Sequence, residues 1–303
     1  MTSLTVLSSE SSGPTRRLPP WLKRPLPMGG GMAVTRRVVR GSGVATVCEE
    51  ARCPNLTECW SHKTATFMIL GDRCTRRCHY CAVSTARPEP PEPDEPQRLA
   101  EAVAELELRH VVITAVARDD LKDEGAGQFA DCIRAVRCRM PEATIEVLPA
   151  DFHARRELIG LVCDAGPDVF NHNIETVERL TPVVRPQGKY GRSLEVLRIA
   201  KSWRPDMPTK SGLMVGLGET EDEIQRTLTD LREAGCDVVT LGQYLQPTSA
   251  HAPIARFYTP AEFERLADMA RELGFPGVAS GPFVRSSYNA AEVYERVRGG
   301  STQ

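Results

Sequence analysis

Between residues 64 and 244 the sequence alternates short apolar runs with amphipathic stretches, and nothing else in the chain limits its fold so tightly. The runs are TATFMIL (64–70), RHVVITAV (109–116), ATIEVLP (143–149), PDVFNHN (167–173), TKSGLMVG (209–216) and CDVVTLGQY (236–244). Most are rich in β-branched residues and all are bounded by polar or turn-forming ones, which reads as strand. The stretches near 97–107, 127–138, 153–164, 193–203 and 220–234 read as helices. Strand and helix alternating in this way imply a parallel sheet with right-handed crossovers, hence an α/β fold. An open doubly wound sheet and a partial barrel both satisfy the pattern. Two helix starts are well marked. TEDE (220–223) and TPAE (259–262) are capping boxes, the second with Pro260 at the first helical position. The helix from 260 is expected to run to about Leu273 and stop at Gly274.

Residues 1–40 are rich in Pro, Gly and Arg without sustained periodicity. They read as an extended or flexible arm, with Trp21 and Leu22 as its anchor. PEPPEPDEP (88–96) reads as a stiff acidic connector. The net charge of −2 argues against a nucleic-acid protein. No apolar run approaches the roughly 20 residues that a spanning helix needs. The N-terminus lacks the charged start and apolar core of a secretory signal. Its Ser and Arg content weakly resembles a transit peptide, though a plain tail is the preferred reading. The expected location is the cytoplasm, or the mitochondrion for a eukaryotic source.

Ten cysteines in a chain without an export signal suggest metal rather than disulfides. Cys132, Cys138, Cys163 and Cys236 are scattered through apolar stretches and read as small core residues. The other six form two triads. Cys74, Cys78 and Cys81, in GDRCTRRCHYCAV, follow directly on the strand TATFMIL, at the functional end of a parallel sheet. A structural zinc site wants four closed ligands, and no partner C-x2-C pair follows. His79 would have to fold back to serve as the fourth. A 4Fe–4S cluster held by three thiolates instead leaves one iron open, which makes a reactive site.

C-x3-C-x-aromatic-C resembles the signature of the radical S-adenosylmethionine (SAM) enzymes. That resemblance implies that the open iron chelates the methionine part of SAM. Reductive cleavage then gives a 5′-deoxyadenosyl radical that abstracts hydrogen. It also implies a partial TIM-type barrel, (β/α)6, with N- and C-terminal extensions. The expected division is an arm at 1–40, an auxiliary-cluster segment at 41–62, the barrel at 63–280 and a C-terminal extension at 281–303.

The second triad, Cys48, Cys53 and Cys59 in CEEARCPNLTEC, lies immediately upstream. Its odd count fits neither a zinc knuckle nor oxidised pairs. In that position it resembles the lipoyl synthase family, in which it holds an auxiliary 4Fe–4S cluster. PPWLK, VARDDLKDEGA, FNHNIETVERL, KSGLMVGLGET, LGQYLQPTSAHAPI and GPFVRSSY resemble the same family, in the family's order. RSSY (285–288) alone would be a polar turn. The resemblance implies that one of its serines completes the auxiliary cluster, Ser287 by preference with Ser286 the alternative. The implied reaction inserts sulfur at C6 and C8 of an octanoyl chain attached to a carrier-domain lysine. It consumes two SAM molecules, and the auxiliary cluster is the sulfur donor. The implied partners are an octanoylated lipoyl carrier domain (E2 subunits or the glycine cleavage H protein), a reducing ferredoxin or flavodoxin and an iron–sulfur carrier, with no nucleic acid and no membrane.

The remaining candidates are weaker. Tyr80 keeps an aromatic ring that could pack on adenine. Asn173 and Glu175 offer the donor and acceptor mix that SAM's ribose and amino groups need, although capping a strand end would explain them too. Gly216 and Gly218 of GLGET mark a turn that would let backbone approach SAM. Arg118 and Asp119 of ARDDLKDEGA read either as a solvated ion-pair loop or as SAM or carrier contacts. His251 reads as an ordinary loop residue. Hydrogen abstraction by a radical needs no general acid or base, and none is named. Biotin synthase shares the radical loop but should lack the upstream triad together with RSSY. A two-cluster electron carrier would usually be shorter and bring four cysteines per cluster.

Overall fold

The structure, a computed structural model, describes residues 17–23, 31–287 and 290. All six expected strands are present. A two-residue strand, β1 (Ala45–Thr46), pairs antiparallel with β2 (Thr66–Ile69). From β2 onward every pairing is parallel, through β3 (His110–Ala115), β4 (Thr144–Leu148), β5 (Val169–Asn171), β6 (Thr209–Val215), β7 (Val238–Gln243) and β8 (Gly277–Gly281). The order in the sheet is the order in the chain, and β8 does not pair back to β2, so the barrel is open. β8 was not expected. GVASG carries no apolar run, and what makes it a strand is its continuous register along β7, from Gly277 opposite Val238 to Gly281 opposite Gly242.

Helices α3 (Glu95–Glu105), α4 (Ala126–Arg139), α5 (Arg156–Asp164), α6 (Tyr190–Trp203), α7 (Glu221–Glu233) and α8 (Pro260–Glu272) coat the outside. α7 and α8 begin at the two expected capping boxes, each with both reciprocal bonds. Strand periodicity divides the side chains. Phe67, Ile69, Val111, Ile113, Ile145, Val147 and Phe170 pack outward beneath the helices, and Leu213, Val215, Val239 and Leu241 do the same on the other half. Their neighbours in sequence, such as Thr114, Leu148, Gly212, Met214, Thr240 and Gly242, line the lumen.

The lower lumen holds charge rather than apolar packing. Lys210 Nζ donates to both oxygens of Glu146 at 3.1 Å, and Asn171 Nδ2 donates to Glu146 Oε1 at 2.8 Å. Burial alone would raise the Glu146 carboxyl, but Lys210, His110 and Asn171 outweigh it and hold it at about 2.

Two regions differ from expectation. Residues 31–40, expected to belong to an extended or flexible arm, lie in helix α1 (Gly31–Ser42). Thr35, Val38 and Val39 share one buried face, a short i, i+3, i+4 stripe obscured in sequence by Arg36, Arg37 and Arg40. α1 packs on α2 (Leu56–Ser61), where Thr35 Oγ1 donates to Trp60 O at 2.9 Å. A Cβ at Gly31 would lie 2.1 Å from Ser61 O, so only glycine fits there. The connector 88–96 is more than a linker. Its Glu95 is buried, begins α3 and accepts the Leu70 amide at 3.0 Å. Trp21 anchors the arm as expected, donating to Tyr258 O at 3.1 Å, with Leu22 buried beside it.

Candidate functional site

The loop after β2 crosses the upper end of the barrel and is pinned on several sides. Arg73 and Cys74 form a small parallel ladder with Ser84 and Thr85. Thr75 N and Oγ1 both donate to Ala117 O, at 3.1 and 2.9 Å. Arg76 turns down into the protein and is almost fully buried. Its Nη2 donates to Asp119 Oδ1 at 2.6 Å and to Asp151 Oδ1 at 2.8 Å. Asp151 also receives Arg192 Nη1 at 3.2 Å. Burial would raise its carboxyl, but the Arg76 guanidinium outweighs that and holds it far below the usual range. His79 N donates to Val184 O at 2.8 Å. Held this way, Cys74, Cys78 and Cys81 face one cavity of about 530 Å³.

The upstream triad is held differently. Cys48 lies in a short helix, Val47–Glu50, that Thr46 caps. Cys53 N donates to Cys48 O at 3.0 Å and Cys59 N to Asn55 O at 2.9 Å. Asn55 Nδ2 reaches across the molecule to Phe283 O at 2.7 Å. That bond brings the segment 283–287 over the barrel mouth, so Cys53, Ser286 and Ser287 line the same cavity as the first triad. Cys48 is buried, and Cys48 and Cys59 stand behind the cavity wall rather than on it. Ser286 Oγ accepts from Asn173 Nδ2 at 3.2 Å. Gly242 leaves room for the crossing segment, since a Cβ there would lie 2.0 Å from Val284 O. Tyr288, the last residue of the RSSY motif, is outside the described residues.

Tyr80, Asn173 and Glu175 meet on the cavity wall. Asn173 Nδ2 donates to Glu175 Oε1 at 3.1 Å, and the Tyr80 hydroxyl also bonds Glu175. Burial raises the Glu175 carboxyl, against the pull of Arg185. Glu175 sits at φ +68°, a left-handed conformation that costs a side-chain-bearing residue energy, and it bridges Leu213 of β6. The other expected contacts lie elsewhere. Gly216 and Gly218 are off the cavity, at φ +106° and +108°, in a turn folded onto Glu219, whose carboxylate accepts the Gly216 and Leu217 amides. Arg118 is buried against Asp120 and Leu70 O, and Asp119 is occupied by Arg76. Both brace loops rather than face the cavity.

Two residues absent from the sequence reading stand on the wall. Arg185 Nη1 donates to Asn173 O, Ile174 O and Ser193 Oγ. Burial pushes the Cys78 thiol up and Arg185 pulls it back. His172 is buried between Pro149 O and Ser193 Oγ, and burial lowers it to about 4, so it is neutral. VVRPQG carries Arg185, but a following proline biases only its backbone towards extended conformations and gives no sign of where the side chain lies.

The donor set fits two iron–sulfur clusters and a polar ligand beside them. All six triad cysteines are free thiols. Cys74 Sγ accepts the Arg76 and Ala117 amides at 3.4 and 3.3 Å. Burial pushes Cys48 up to about 11 and Cys81 to about 12, so these thiols deprotonate when a metal displaces the proton. Asn173 Oδ1 is buried without a partner, an acceptor waiting for a donor in the cavity.

A family model of the radical SAM superfamily matches residues 68–231. A second, the N-terminal domain of lipoyl synthase, matches residues 6–53. The lipoyl synthase of Rubrobacter xylanophilus is 57% identical over 283 residues, covering 93% of this chain and 88% of that protein. That of Methylococcus capsulatus is 55% identical, over 93% of this chain and 87% of that one. Among solved structures, methylornithine synthase aligns over 92% of this chain and 91% of that one, with TM-score 0.53 and 13% identity. The hydrogenase maturase HydG aligns over 82% of this chain and 63% of that one, with TM-score 0.54 and 12% identity. At such identities the structural likeness speaks for the fold alone, a radical SAM partial barrel.

Proposed function

The chain belongs to the lipoyl synthase family of the radical SAM superfamily, and on that premise we propose how its residues divide the work. The enzyme is a sulfurtransferase that inserts two sulfur atoms, at C6 and C8, into a protein-bound octanoyl-lysine to give the lipoyl group. It works with two 4Fe–4S clusters and SAM, which when bound supply the hydrogen-abstracting radical and the sulfur. Its substrate is a lipoyl-domain protein.

Cys74, Cys78 and Cys81 hold the cluster that pairs with SAM. Cys48, Cys53 and Cys59, with Ser287, hold the other. Ser287 is the preferred serine because Asn173 already engages the Ser286 hydroxyl. A hard oxygen ligand lets that cluster open more readily than a fourth thiolate would. Asn173 and Glu175 orient SAM through the orphan Oδ1 and the buried carboxylate, with Tyr80 against the adenine. Arg185 offsets the negative charge that three thiolates and Glu175 would gather in one place. Arg118 and Asp119 act at one remove, by holding the loop. Met68, Leu148 and Met214 give the octanoyl chain an apolar wall and keep water from the reacting carbons.

Beyond the substrate protein, the reading includes a reducing ferredoxin or flavodoxin, an iron–sulfur carrier, and E2 subunits or the glycine cleavage H protein as carriers, with no role for nucleic acid. No helix among the described residues is long and apolar enough to cross a membrane. A cytoplasmic location is part of the proposal.

One observation carries this assignment: Cys53, Ser287 and the three loop cysteines share a single cavity. Anaerobic reconstitution tests it. Wild-type protein should hold about eight irons per chain and Cys53→Ala about four. Ser287→Ala should lose auxiliary iron faster than Ser286→Ala. About four irons in the wild type, unchanged by Cys53→Ala, would sink the division of ligands.

A further inference from the structure

His251 lies in the loop after β7 and has no obvious task from sequence, yet it joins two working parts of the site. Its Nε2 lies 3.0 Å from Cys81 O and its Nδ1 2.8 Å from Thr248 Oγ1. A carbonyl can only accept, so Nε2 carries a proton and donates to it, while Nδ1 pairs with the threonine hydroxyl. Thr248 Oγ1 also accepts the Ala250 amide at 3.3 Å. These contacts fix the ring orientation. Next to it, Ala252 N donates to His79 O at 2.7 Å, a second tie to the same cysteine loop.

The other side of the loop is tied to the barrel. Tyr244 OH donates to Ala252 O at 2.8 Å and Gln246 Nε2 to His251 O at 2.9 Å. Leu245, Gln246 and Pro247, between β7 and His251, line the cavity. A single imidazole thus links the backbone of Cys81 to the wall against which a substrate chain would lie.

We propose that His251 is a positioning residue that keeps the cysteine loop in register with the cavity wall, so that SAM cleavage is coupled to hydrogen abstraction from the acyl chain. The proposal rests on the functional reading above. Its physical basis is distance. A radical formed one ångström out of place is quenched instead of reaching C6 or C8, and misplacement on that scale costs on the order of a hundredfold in favourable cases.

The test compares wild type, His251→Ala and His251→Gln. Glutamine places an N–H donor near the position of Nε2 and can restore the bond to Cys81 O. With an octanoylated lipoyl domain, 5′-deoxyadenosine and lipoyl product are counted per chain. Iron content and amide hydrogen exchange at residues 79–82 are measured on the reconstituted enzyme without substrate. His251→Ala should keep its iron, exchange faster at residues 79–82, and release on the order of tenfold more 5′-deoxyadenosine per product. His251→Gln should return towards wild type on both readouts. If the alanine variant does not fold, His251→Asn, too short to reach Cys81 O, takes its place in the same comparison. Equal ratios in all variants, or equal impairment of the glutamine and the shorter variants, would overturn the proposal. A wild type that gives no sulfurated product would overturn the functional reading and the proposal with it.

Discussion

The loop triad and Cys53 of the upstream triad reach one cavity by opposite routes. Cys74, Cys78 and Cys81 sit on a loop fixed by neighbouring barrel elements: a two-residue ladder, the buried Arg76 between Asp119 and Asp151, and amides bound to Ala117 O and Val184 O. Cys48 and Cys59 sit on short helical pieces outside the barrel, with Cys53 in the link between them. The Asn55 side chain ties this segment to the C-terminal one, over a sequence separation of 228 residues. The first arrangement is over-determined. The second depends on a few contacts whose partners are far apart in the chain. Such a difference suits the tasks proposed for them, since a radical source must return unchanged while a sulfur source must be dismantled and rebuilt.

Breaking the stronger side should have the largest effect. Arg76→Met removes the guanidinium that Asp119 and Asp151 share and leaves buried Asp151 with Arg192 and the His153 amide. Breaking a buried ion pair costs up to about 3–5 kcal/mol, which should lower Tm by roughly 5–10 °C at most. Thermal unfolding followed by circular dichroism measures it. A change below about 2 °C would mean that the loop is held without this pin.

Acid should attack the barrel next. His172 is lowered to about 4 by burial, so its folded form resists protonation that the unfolded chain accepts. Stability falls as pH drops from about 6.5 to about 4. Glu146 is held at about 2, so its contribution is complete above about 4.5 and is lost as pH falls towards 2. Each shift corresponds to roughly 3 kcal/mol at most. The Asn55–Phe283 bond is neutral and should not respond. Urea unfolding of the protein at pH 7, 5 and 3 should therefore show two successive losses. Lys210→Met should shift the second to higher pH, because Glu146 then lacks its ammonium partner.

What the sequence revealed follows the same division. Six strands and the capped helices were legible because each is written locally, in apolar runs and in Thr-x-x-Glu. The cysteine loop was legible for the same reason. β8 was not, because GVASG becomes a strand through pairing with β7 alone. α1 was hidden because its buried stripe, Thr35, Val38 and Val39, is interrupted by arginines. Among the candidate site residues, Tyr80, Asn173 and Glu175 line the cavity. Gly216, Gly218, Arg118 and Asp119 do not, since a strand-end position says which end of the barrel a residue occupies but not which way it faces. Arg185 and His172 were not singled out because their contacts run between separate segments, while His251, read as a loop residue, bonds within its loop and to Cys81 O.

The smallest expected effect tests the weaker side. Asn55→Ala removes one side-chain donor to Phe283 O, worth about 1 kcal/mol globally. The consequence should be local. Asn55 N-caps α2 in position but makes no side-chain capping bond, so the helix itself should survive. What loosens is the approach of segment 283–287 to Cys53. Iron release to a chelator should then become biphasic, with about four irons lost faster than in wild type and about four unchanged. Reductive cleavage of SAM without substrate should continue at the wild-type rate, because none of the pins on residues 74–81 passes through Asn55. If both halves of the iron were instead released together, the triads would share one support, and the contrast between an over-determined loop and a lightly held segment would fail.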